Sequence, residues 1–227
     1  MTEDKKKQPS ILYLGIFLGI IGAISAGLLA EVALMTKKPI EQAQLKKTNA
    51  ALKAVLPAFD NEPAKEKQTI KAADGTEVTF YIAKSAGKIV GVAGEGYSMK
   101  GFAGKVTVMA GMDVSGKIRT VIVTEQHETP GLGTVITDRK SEKTIYDLFG
   151  DKKKKQGLPP NPILDKFDGH TAVKNGKPWA VKKDGGEFDF VTGATITSRA
   201  VTAAVYKVAL TYTENRDKIA PIPEEKK

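Results

Sequence analysis

Residues 11–30, ILYLGIFLGIIGAISAGLLA, carry no charged side chain, and no other stretch limits the chain so strongly. A helix rises about 1.5 Å per residue, so twenty residues reach across a hydrocarbon core of about 30 Å. Within such a core the backbone must satisfy its own polar groups, and a helix does this alone. The stretch is longer and more even than a typical secretory h-region, and no clear small-x-small cleavage site follows within it. A cleaved signal peptide is the alternative. The reading adopted is a retained single span over residues 10–35, ending near Glu31 to Met35, after a polar segment at 1–9. Lys5, Lys6 and Lys7 precede the span, whereas Lys37, Lys38, Lys46 and Lys47 follow it. The positive-inside count therefore does not decide the orientation, and taken bare it leans against an exported domain.

After the span, residues 36–60 read as a juxtamembrane helix. Leu45, Leu52, Val55 and Leu56 fall near one helical face, and Pro57 stops the pattern. Residues 61–213 then read as one α+β domain. EVTFYIA (77–83) and IVGVAG (89–94) flank a turn at 85–88, and KVTVMAGMDV (105–114) and IRTVIVTEQ (118–126) flank another at 115–117. Alternating β-branched residues around Gly-Lys turns predict two hairpins. Residues 141–150 predict a short helix capped by Ser141 and closed by Gly150, and residues 151–187 a long surface excursion. The last helix is expected from about Ser198 to Tyr212, with Val201, Ala204, Val205, Val208 and Tyr212 as its buried stripe. A loose polar tail at 214–227 ends the chain. The fold class is α+β: a twisted, mostly antiparallel sheet packed by helices, with one N-terminal transmembrane helix.

Cysteine is absent and there are only two histidines, His127 and His170. That excludes disulfides, thiolate metal sites, cysteine-bound iron–sulfur clusters and thioether haem attachment, and it disfavours zinc. Redox chemistry in this chain would need an organic cofactor. The formal charge of +9 suits an anionic partner or surface. Much of it sits in lysine runs such as DKKKKQG (151–157), which read as solvated loops. No basic run is interleaved with aromatics, so nucleic acid is not the expected partner.

The densest chemistry lies in FDFVTGATITSRAV (188–201). FDF predicts the end of a strand, TGA a tight turn, and Thr195 to Ser198 the start of the last helix. A helix N-terminus offers unpaired amides and the positive end of the helix dipole, both suited to a phosphate. The ordinary reading is that Thr197 or Ser198 caps the helix. Asp189, Thr192, Gly193, Ala194 and Thr195 also match D-x-x-[ST]-G-A-T, and the segment resembles the flavin-attachment motif of the FMN-binding domain family. In that family a dedicated transferase esterifies the FMN phosphate to the last threonine, here Thr195. Thr197 and Ser198 then remain as caps beside the attachment point.

A second segment, TEQHETPGLGT (124–134), resembles the corresponding stretch of the G subunit of the Rnf electron-transport complex. GEGYSMKGFAGKVTVMAGMDVSGKI (94–118) resembles the strand entry of the same subunit. The C subunit of Na+-translocating NADH:quinone reductase shares the features in the same order and stays as an alternative. The resemblance implies a single covalent FMN, a domain on the extracytoplasmic side of the cell membrane, and partner subunits that move electrons between ferredoxin and NAD, coupled to Na+ or H+. It implies that Glu128, Thr129, Leu132 and Gly133 line the flavin and that Lys177 meets its phosphate or ring. No G-x-G-x-x-G, P-loop lysine or acid/base constellation is present, so the expected role is electron relay rather than independent catalysis. A membrane-tethered binding module without cofactor is the reading from another class.

Overall fold

In the computed structural model, residues 10–139 and 158–221 are described. The expected helix at 141–150 and the lysine run at 151–157 lie outside them. The chain divides into two units, residues 1–47 and 48–227, each of which is described by itself.

The N-terminal unit is helical. Helix α1 runs Ile11–Val55, 45 residues, and its residues 11–47 present their apolar side chains outward. Among the described residues it is the one helix long and apolar enough to cross a membrane, with a mean hydropathy of 2.2 over its best window. The stretches read as anchor (10–35) and juxtamembrane helix (36–60) form one continuous helix up to Val55. Pro39 lies inside α1; it removes one helical donor, but no second breaker stands beside it to end the helix. Leu45, expected on the packed face, is exposed.

The second unit is built on a five-stranded meander: β1 (Lys67–Lys71), β2 (Glu77–Ser85), β3 (Lys88–Gly101), β4 (Gly104–Met112) and β5 (Ile118–Glu125). The strands pair in chain order and every pairing is antiparallel. Both expected hairpins form. β1 was not expected, because KQTIK offers a single apolar residue and no alternation; as an edge strand carrying Lys67 and Lys71 it needs none. After β5 come a short helix, α2 (Gly133–Thr137), and the long last helix, α3 (Thr195–Ile219).

Each face of the sheet receives a helix. On one face Phe80, Val92, Val108 and Ala110 pack against Val201, Ala204, Val205, Val208 and Tyr212 of α3. On the other, Tyr81, Ala83, Ala93 and Met109 cover Ala51, Leu52, Val55 and Leu56 at the end of α1. Glycines in the sheet let the helices approach closely. A Cβ on Gly94 would lie 2.4 Å from a Val208 methyl, and one on Gly111 would lie 2.0 Å from the Val55 carbonyl oxygen. Both helices therefore dock where side chains are missing.

Three further expectations give way to the structure. FDF is not a strand; Phe188 forms only an isolated parallel bridge with Val181. The described part of 151–187 is no surface excursion, because Leu164, Phe167, Ala172 and Val181 are buried in the α3-side core. Its apolar residues are too widely spaced for a strand or helix pattern but suffice to anchor an irregular segment. Two 3-10 turns, Leu164–Phe167 and Lys182–Asp184, give this segment its regular structure. Helix α3 also starts three residues earlier than expected and continues to Ile219, which is buried together with Ala220 where a loose tail was expected.

Candidate functional site

The turn before α3 is set by Gly193, whose φ of 87° suits glycine, and is closed by the Ala194 amide donating to the Val191 carbonyl at 2.9 Å. Ala194 occupies the N-cap position and no side chain caps the helix. Thr197 and Ser198 are thus not the caps the sequence suggested. Because the helix begins at Thr195, they sit at the end of its first turn and point inward, each about 1% exposed. The Thr197 hydroxyl donates to Glu128 Oε2 at 2.7 Å. The Ser198 hydroxyl donates to the Ala194 carbonyl at 3.0 Å and accepts from the Val191 amide at 3.3 Å.

Thr195 is left half-buried at the first helical position, next to exposed Thr192 and Gly193. The first helical hydrogen bond is Ser198 amide to Ala194 carbonyl, 3.0 Å, so the amides of residues 195–197 precede the helical ladder. Those amides and the helix dipole create a positive potential around the Thr195 hydroxyl. Asp189 is balanced by cations of its own. It pairs with Lys182 and lies 3.9 Å from Lys166. The hydrogen bond from Lys182 holds its carboxyl below the usual range against slight burial, and the charges of both lysines add to this. Arg199 is engaged in a two-pronged pair with Asp184, its Nε donating at 2.7 Å.

The segment after β5 turns back toward this helix start. The Thr129 carbonyl accepts from the amides of Leu132 (3.2 Å) and Thr134 (3.3 Å), and the Gly131 amide donates to the Thr134 hydroxyl at 2.9 Å. The chain then enters α2. Leu132 is 46% exposed, and its Cδ2 lies 3.4 Å from where a Cβ on Gly193 would stand. The loop and the turn before Thr195 are therefore neighbours. Glu128 is buried, Gly133 is buried and Thr129 is exposed.

Asn161 holds the end of α2, just after this loop, a role that no pattern in the sequence marked. Its Nδ2 donates to the carbonyls of Val135, Ile136 and Asp138 at 3.0–3.2 Å, while Oδ1 accepts from the amides of Ile163 and Leu164. Arg139 adds bonds to the Val121 and Pro159 carbonyls and a 2.7 Å ion pair with Asp165. Such partners lie far apart in sequence, and PPNP reads only as a loop.

Beside the first turns of α3 lies a cleft of about 330 Å³, lined among others by Lys100, Trp179, Ile196 and Arg199. That is the low end for small-molecule pockets. Trp179 packs on Phe188 and Tyr206 at 5.2 and 5.5 Å between ring centroids. Sequence reasoning passed over Lys100, Trp179 and Ile196, since isolated residues on three elements leave no local pattern. Lys177 is exposed and, among the described residues, makes no hydrogen bond or ion pair with the motif residues.

Residues 101–209 match the family model described as FMN-binding domain. The match takes in β4, β5, the Glu128–Gly133 loop and the turn into α3. The G subunit of the ion-translocating oxidoreductase complex of Photorhabdus laumondii is 39% identical over 202 residues, covering 86% of this chain and 87% of that protein. The corresponding protein of Escherichia coli K12 is 39% identical over 201 residues (86% and 88%), and that of Cereibacter sphaeroides 31% over 228 residues (98% and 93%). The chain belongs to the G-subunit family of ion-translocating oxidoreductase complexes. Membership in this Rnf-complex family makes the chain one subunit among several. The alignment with the Cereibacter sphaeroides relative spans nearly the whole chain, so the resemblance extends beyond the FMN-binding domain.

Proposed function

We propose that this G-family subunit relays electrons through one FMN held covalently on Thr195, within a membrane complex that exchanges electrons between ferredoxin and NAD and couples this to ion movement. The observation that carries the reading is the position of Thr195. Among the hydroxyls of the motif it alone stands at the first position of a long helix, accessible, beside a glycine turn, while Thr197 and Ser198 are buried and bonded.

The residues fit such a group. A phosphodiester on Thr195 keeps one negative charge, and the amides at the start of α3 face it. Gly193 allows backbone approach without a side chain in the way. The pairing of Asp189 with Lys182 and Lys166 offsets a carboxylate that would otherwise repel the phosphate. Leu132, which lies against Gly193, and Ile196, the residue after Thr195, are about half exposed and supply apolar surface for a planar ring. Trp179 and Lys100 line the cleft together with Ile196. FMN, when bound, supplies reversible one- and two-electron redox chemistry; the chain binds it, orients it and keeps water from part of it. A covalent tether retains a cofactor that faces an aqueous compartment, in keeping with a domain on the extracytoplasmic side, reached by α1 as anchor and matured by a flavin transferase.

The test is fluorescence of the denatured protein on a gel after co-expression with a flavin transferase. Wild type glows under ultraviolet light and Thr195→Ala is dark. Thr197→Ala stays bright although the protein loses about 1–3 kcal/mol, because a buried Glu128 oxygen is left without its donor. A bright Thr195→Ala band removes the assignment. A dark wild type, with the transferase shown to be active on a control substrate, favours a tethered module without cofactor.

A further inference from the structure

The resemblance would have Glu128 line the flavin, but its surroundings suit another task. Its side chain is 4% exposed and lies between three segments. Oε2 accepts from the Thr197 hydroxyl of α3 at 2.7 Å, and Oε1 accepts from the Ala103 amide in the β3–β4 turn at 3.3 Å. Its own amide donates to Gln126 Oε1 at 2.6 Å. Two glycines shape the cradle. A Cβ on Gly101 would lie 2.5 Å from Oε1, and one on Gly133 would lie 2.6 Å from the Glu128 Cβ and 2.9 Å from Oε2. Both oxygens are thus occupied as acceptors by groups far apart in sequence, and the cradle walls leave no room for even one added methyl.

We infer that Glu128 is a positioning residue: it locks the β3–β4 turn and the first turn of α3 into one frame and fixes a negative charge close to the cofactor carried on Thr195. The frame matters because Lys100, at the end of β3 next to that turn, and Ile196, on that helical turn, line one cleft. The charge matters because Thr197, its hydrogen-bond partner, is two residues from Thr195. A carboxylate removed from water interacts with a nearby redox centre through a low effective dielectric, so it opposes electron uptake there and lowers the midpoint potential. This inference rests on the flavin reading at Thr195.

Glutamine separates the two parts. Its carbonyl oxygen still accepts from the Ala103 amide, and its NH2 group donates to the Thr197 oxygen, so the frame survives while the charge is lost. Alanine removes both. The experiment uses the full chain co-expressed with a flavin transferase as wild type, Glu128→Gln and Glu128→Ala. Flavin load is read by in-gel fluorescence, midpoint potential by spectroelectrochemical titration, and ring mobility by flavin fluorescence anisotropy. Glu128→Gln is expected to carry wild-type flavin with wild-type anisotropy and a more positive midpoint. Glu128→Ala is expected to give lower anisotropy as well. A folded Glu128→Gln protein with an unchanged midpoint, or one that takes no flavin, overturns the inference, and this arm decides alone if Glu128→Ala does not fold. Unchanged anisotropy in a folded Glu128→Ala protein overturns it too. A dark wild type sinks the flavin reading and this inference with it, whereas a bright wild type with an unresponsive Glu128→Gln sinks the inference only.

Discussion

Thr195 and Thr197 stand two residues apart on one helical turn and meet opposite surroundings, one at the surface and one against Glu128. Their residue types could be read from the sequence, and so could the presence of a helix, but not the residue at which it starts. Which hydroxyl faced water could not, because that depends on where the helix begins and on a carboxylate 69 residues away. Leu132 is similar. Its place in ETPGLG marked it, but only the fold shows it half exposed beside Gly193. A side chain with that much exposure contributes little to stability, so Leu132→Ala should change the unfolding free energy by only about 0.5 kcal/mol or less. The same variant should keep its flavin but shift the flavin absorption band and the midpoint potential. An unchanged spectrum and potential would mean that Leu132 only shapes the loop.

At the scale of elements, hairpins and helices with a clean period were legible: β2 with β3, β4 with β5, and the buried stripe of α3. Elements lacking a period were not. β1 has one inward residue, and the segment between Asn161 and Phe188 is held by scattered aromatic and asparagine contacts that leave no repeat. The β1–β2 turn is also fastened to α3 by Asp74, 2.7 Å from Lys207 Nζ. Burial is the largest single influence and raises the Asp74 carboxyl, but the hydrogen bonds from Lys207 and Thr76 and the Lys207 charge together outweigh it and bring its pKa down to about 2. A carboxyl that is more acidic folded than unfolded stabilises the fold above its unfolded value of about 3.8, and this contribution fades as the pH falls toward 2. Asp74 is half exposed, so the contribution is below about 1 kcal/mol. Thermal melts at pH 5 and pH 2.5 should show Asp74→Asn losing less stability on acidification than wild type. An equal loss would mean that the pair adds nothing.

For the whole molecule, the apolar segment and the α+β domain were both visible in the sequence, but their junction was not. The anchor and the juxtamembrane helix were read as separate stretches, 10–35 and 36–60, whereas the backbone forms one helix from Ile11 to Val55. The extracytoplasmic side proposed for the domain rests on family resemblance and not on lysine counting, and it has its own test. A reporter active only after export, fused behind Lys227, should be active in cells, and activity seen solely with a cytoplasmic reporter would reverse the proposed orientation. The central claim is narrower: one FMN, on one threonine. Mass spectrometry of the proteolysed, flavin-bearing protein tests it most directly. The peptide containing residues 188–199 should carry the mass of FMN less one water, with fragmentation placing it on Thr195. The adduct on another residue, or an unmodified peptide from fluorescent protein, would contradict the account.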